Sequence, residues 1–173
     1  MTHKFTLGCI SLLLISLMNC NLPVREEDPK RTDLSDKPVA QLPVDSLKIN
    51  GKTYLSVYSE VYSYSEHTTH NLTSTISLRN RDAKHPVYIE KATFYDTKGK
   101  ALHEYVTKPF ALAPMETVHI VINEKDEEGG TGANFIFEWA TEQNTITPLF
   151  EAVMISTQGQ QGLSFVTYGQ PIN

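Results

Sequence analysis

Beyond residue 45, apolar and polar positions alternate in short runs, the two-residue period of half-buried strands. Ser46–Asn50 places Leu47 and Ile49 on one face and meets Gly51, read as a turn. Tyr54–Tyr64 reads as one long strand, with Leu55, Val57 and Val61 on one face and Tyr54, Tyr58, Tyr62 and Tyr64 on the other. Leu72, Ile76 and Leu78 alternate with Thr73, Thr75, Ser77 and Arg79. Val87 and Ile89 then keep one phase while Ala92 and Phe94 keep the other, so a bulge is expected near Glu90–Lys91. A hairpin turn at Asp96–Lys100 leads into Ala101–Val106, and Val118, Ile120 and Ile122 form another inward face.

The strongest signal is the segment after Gly129-Gly130-Thr131-Gly132. Phe135, Phe137 and Trp139 share one face, and Ile136 and Ala140 the other, as expected of a strand covered on both sides at the middle of a sheet. Leu149–Ser156, a loop at Gln158–Gly162 and Leu163–Tyr168 complete the pattern. No helical period appears after the N-terminus, and the Tyr, Phe, Val, Ile and Thr content favours strands. The class is all-β. The spacing predicts a two-sheet antiparallel sandwich of immunoglobulin or fibronectin type, with a small barrel as the alternative.

The first residues follow another logic. Lys4 precedes an apolar run from Phe5 to Met18, too short to span a bilayer core but suited to an export signal. Leu17-Met18-Asn19-Cys20 resembles the lipobox of bacterial lipoproteins, with Asn19 where a smaller residue is usual. The resemblance implies cleavage before Cys20 and acylation of its thiol. With Asn21 following, it implies the outer membrane. Residues 20–45, with Pro23, Pro29, Pro38 and Pro43 among mixed charges, read as a disordered tether. The expected organisation is therefore a signal at 1–19, a lipidated tether at 20–45 and a β-domain at 46–173.

Charge and cysteine content narrow the function. The net charge of −5, with no basic stripe, argues against nucleic acid as a partner. Both cysteines, Cys9 and Cys20, lie ahead of the domain, so no disulfide staples it.

Gly129–Phe135, Glu138-Trp139, Pro148, Glu151–Ile155 and Gly159–Phe165 together resemble a small bacterial family of exported proteins and lipoproteins known only as a domain of unknown function. That resemblance reaches back to about Leu55 and implies no activity.

Several positions could carry chemistry. The Gly129–Gly132 loop could form an anion nest or a plain turn; it lacks the Lys-Ser/Thr of a phosphate loop. Asp126, Glu127 and Glu128 could offer oxygen to calcium or stay solvated. His67 and His70 could meet on a metal only in a turn. Glu138 and Glu151 sit inside apolar strands: paired, they could act as acid and base on a glycan or ester; apart, they would meet solvent, arginine or lysine. The leading expectation is a non-catalytic binding or structural module on the bacterial envelope, contacting an envelope protein or glycan and needing no cofactor. Its candidate surface is either the end carrying Gly129, Gly130, Gly132, Asn134, Gln160 and Gln161, or the tyrosine face with Tyr58 and Tyr62. The rivals are the Glu138/Glu151 enzyme and a metal- or small-ligand-binding protein.

Overall fold

The computed structural model describes residues 31–41, 47–142, 145–158 and 162–172. Cys20, Gln160 and Gln161 lie outside them, as do the export signal and the tether up to residue 30. In chain order the strands are β1 (Leu47–Ser56), β2 (Glu60–Ser63), β3 (Ser65–Asn71), β4 (Thr73–Arg79), β5 (Val87–Tyr95) and β6 (Ala101–Val106). They continue as β7 (Phe110–Leu112), β8 (Thr117–Ile122), β9 (Asn134–Glu142), β10 (Leu149–Ser156), β11 (Leu163–Tyr168) and β12 (Gln170–Ile172). Pairing is antiparallel throughout. One sheet has the order β12-β1-β9-β5-β6, with β7 also on β5; the other runs β11-β10-β4-β8; β2 and β3 form a separate hairpin. Neither large sheet closes into a barrel. Their inner faces share one core, in which the Phe137 and Phe150 rings stack across the layers at 4.3 Å between centroids.

The expected central strand is β9, paired with β1 on one side and β5 on the other. Its inner face is Phe135, Phe137 and Trp139, all buried. Its outer face is only partly covered: Ile136 and Glu138 are half-buried, shielded sideways by cross-strand neighbours such as Tyr54 and Thr93. The bulge is where the phase change put it, between Ile89 and Lys91. It divides β5, so that Val87–Ile89 pairs with β7 and Ala92–Tyr95 with β6. The Asp96–Lys100 turn also forms, with Gly99 at φ 78 and the Asp96 carboxylate accepting from the Lys98 and Lys100 amides.

Three expectations are corrected. Gly51 is no turn but lies inside β1 opposite Trp139, whose indole occupies the space a Cβ would need. The Tyr54–Tyr64 strand is broken at residues 57–59, where the backbone pairs with the glycine loop instead, so the tyrosines form no continuous face. The domain also begins earlier than residue 46, at Arg31. Residues 31–40 form a strap along the open side of the sandwich. Arg31 pairs with Asp126 and Glu128, Thr32 bonds the backbone of Val121, Leu34 packs on the core, Lys37 pairs with Glu116, and Val39 bridges Phe110. The polar composition is real, but long-range partners fix it.

The connection at residues 80–86 is a buried polar hub that the sequence pattern shows only as a loop. Asn80 Nδ2 donates to the carbonyls of His85, Leu112 and Ala113. Asp82 accepts from the amides of Ile146, Lys84 and His85, and these bonds hold its carboxyl well below the usual carboxylate range. A depressed folded-state value means that this stabilisation is complete above the unfolded value of about 3.9 and is lost as the pH falls toward the folded one. Asp82→Asn should therefore melt well below wild type at pH 7, with the gap narrowing below about pH 4. A constant gap in thermal melts from pH 7 to 2 would refute this. Among the described residues no helix is long and apolar enough to cross a membrane.

Candidate functional site

The glycine loop is built from the core outward. Residues Gly130–Gly132 make one short 3-10 turn, entered with Gly130 at φ 73, a conformation that disfavours a Cβ. Thr97 clamps it: its Oγ1 donates to the Gly129 carbonyl at 3.0 Å and accepts from the Gly132 amide at 3.0 Å. A Cβ on Gly129 would sit 2.7 Å from both Phe94 Cζ and Ser59 Oγ, so the loop is seated directly on the core. Ser59 in turn donates its amide to the Gly130 carbonyl.

Three candidate segments meet here. Thr131 Oγ1 donates to Tyr62 Oη at 3.3 Å, Asn71 Nδ2 donates to Glu127 Oε1 at 2.7 Å, and His70 Nδ1 lies 3.2 Å from Gln158 Oε1. The β2–β3 hairpin is thus braced by the glycine loop on one flank and by the β10–β11 connection on the other. Tyr58 packs edge-on against Phe165 at 5.7 Å and belongs to the support. Asn134 opens β9 between Ser56 and Tyr95. Tyr62 is 61% exposed, and Tyr64, at the hairpin tip, is wholly exposed with φ at 61. Thr97, Ser59 and Asn71 are not legible in the sequence as members of this site, nor is the bond from Thr131 to Tyr62. Their partners lie 35 or more residues away in several cases, and no local spacing encodes that.

The acidic loop is neutralised from the strap. Arg31 reaches Glu128 at 2.9 Å and Asp126 at 3.4 Å, while His103 Nε2 lies 2.7 Å from Glu128. The hydrogen bond from His103, helped by Arg31, holds the Glu128 carboxyl below its ordinary value. Burial, with Asp126 nearby, pushes the neighbouring Tyr105 phenol up to about 12. With Glu127 bonded to Asn71, the three acids share no centre. His67 turns to Glu66 and His70 to Gln158, so the two histidines do not converge either. Among the described residues no group of three metal-ligating side chains gathers.

Glu138 and Glu151 are not brought together. Strands β9 and β10 belong to different sheets, and both side chains point away from the shared core, so the carboxylates lie on opposite outer faces. Glu151 meets Arg79 at 2.7 Å. Glu138 stands between Lys52 at 3.6 Å and Lys91 at 4.0 Å, beside a shallow cavity of about 440 Å³ lined in part by Glu90, Lys91 and Glu104. The pair cannot act as acid and base on one substrate, which needs carboxyls within about 10 Å of each other.

No curated protein matches the chain. Among solved structures, the crystal structure of Thermotoga maritima 1070 is similar with a TM-score of 0.44 and 12% identity, over 69% of this chain and 92% of that one. The family comparison covers residues 50–172, nearly the whole domain. The chain belongs to DUF3124, a family of proteins of unknown function.

Proposed function

We propose that this protein is a non-catalytic binding module of the bacterial envelope, attached through a lipid on Cys20, with the hairpin end as its working surface. One observation carries the reading: Tyr62 and Tyr64 are held out on a hairpin braced from both flanks. Exposed tyrosines on a rigid support present large contact area at low entropic cost. The strand carboxylates, by contrast, are each neutralised by a basic partner. The lipobox-like run ending at Cys20, followed by Asn21, supports placement at the outer membrane.

Two measurements test this. Wild type should fractionate with membranes and Cys20→Ala should not; equal behaviour of the two ends the anchor reading. A photo-reactive residue at position 64 should yield an envelope adduct in cells, and one at Thr93, on the outer face beside Ile136, should not. Adducts at Thr93 alone would move the working surface to the outer sheet face.

A further inference from the structure

We infer that the hairpin end rests on the bilayer itself, with Tyr62 and Tyr64 in the headgroup zone of the membrane that holds the anchor. This names the partner of the surface proposed above and rests on attachment at Cys20. The first argument is where the chain leaves the domain. Arg31 is fixed to Asp126 and Glu128, Glu127 to Asn71 at the base of the hairpin, and Thr131 to Tyr62. The exit toward the N-terminus and the exposed tyrosines therefore share one six-residue loop. The second argument is reach. Cys20 lies eleven positions before Arg31, a stretch that spans at most about 40 Å fully extended and roughly half that as a coil. The opposite end, marked by Met115 and Ile146 around Asp82, is one strand length farther away, about 30 Å for the nine residues of β9. At coil length the stretch is shorter than the domain, which favours the near end, and not the far one, against the membrane.

The third argument is chemistry. Tyrosine places an apolar ring and a polar hydroxyl at the boundary between hydrocarbon and water, and it concentrates there in membrane proteins. Residues 60–71 contain no Lys or Arg but include Glu60 and Glu66, with Glu127 alongside. Such a surface is repelled by anionic headgroups and suits zwitterionic ones. The contact adds little affinity to an acylated chain; it orients the domain.

The test uses the full-length lipidated protein in zwitterionic vesicles containing brominated phospholipid. Wild type, whose only tryptophan, Trp139, is 7% exposed, supplies the background. In Tyr64→Trp the added fluorescence should fall about twofold or more on membranes, since the ring lies at headgroup depth, and less when the vesicles are made anionic. In Met115→Trp it should not change. Equal quenching at the two positions, or none at position 64 in protein that remains bound to vesicles, overturns the inference and leaves the anchor standing. Wild type that stays soluble removes the anchor and this inference with it.

Discussion

Phe137→Ala should lower the free energy of unfolding by about 3–5 kcal/mol, a large part of the 5–15 kcal/mol typical of a domain. Phe137 has no exposed surface and lies mid-strand in β9. Its ring stacks on Phe135 along the strand at 5.3 Å and on Phe150 of the other sheet at 4.3 Å. It is thus the contact through which the layers meet, and strands on both sides of the gap would have to move to refill it. Ile136→Ala, one residue away on the half-covered outer face, should cost about 1 kcal/mol, since less apolar surface leaves the interior. Urea unfolding decides the matter: the midpoint should fall far more for Phe137→Ala, at unchanged slope. Similar losses for the two would mean that β9 is not the seam of the core.

Gly51→Val should cost about 3 kcal/mol through a mechanism unlike a cavity. A Cβ there would lie 2.6 Å from Trp139 Cε2 and 2.7 Å from Cη2, with Cζ2 nearer still, so the indole must leave. Leaving breaks the 3.0 Å bond from Trp139 Nε1 to Thr53 Oγ1, both groups being buried. Tryptophan emission should shift to the red as the ring is exposed. In a Trp139→Ala background the same substitution should cost much less, because the wall it strikes is gone. Additive losses in the double variant would show that Gly51 matters for β1 alone.

These two positions also mark how far local reading goes. Phe137 is legible because alternation is a local property, and the Glu90–Lys91 bulge is legible because alternation changes phase there. Gly51 is not, because glycine serves both tight turns and close approaches, and here the approaching group is 88 positions away along the chain. The strap was hidden for a related reason. Pro38 and its charged neighbours have the composition of a tether, yet Arg31, Thr32 and Lys37 each find partners 79 to 97 residues on. Of the candidate surface, the alternation assigns Tyr62 to a tyrosine face and the glycine loop to one end, and only the fold brings the two together through Thr131; likewise the separation of Glu138 and Glu151 rests on the sheet assignment of β9 and β10, which no spacing contains.

The strap has a mechanical side. Tension drawn from the N-terminal direction reaches Arg31 before any strand, then Thr32, Lys37 and Val39 in turn. Contacts arranged in series yield one at a time, each at modest force, while β1 carries no load until the last has parted. Peeling the strap also lifts Leu34 from the core, so the strands would be the last part of the domain to feel such a pull but not untouched by it.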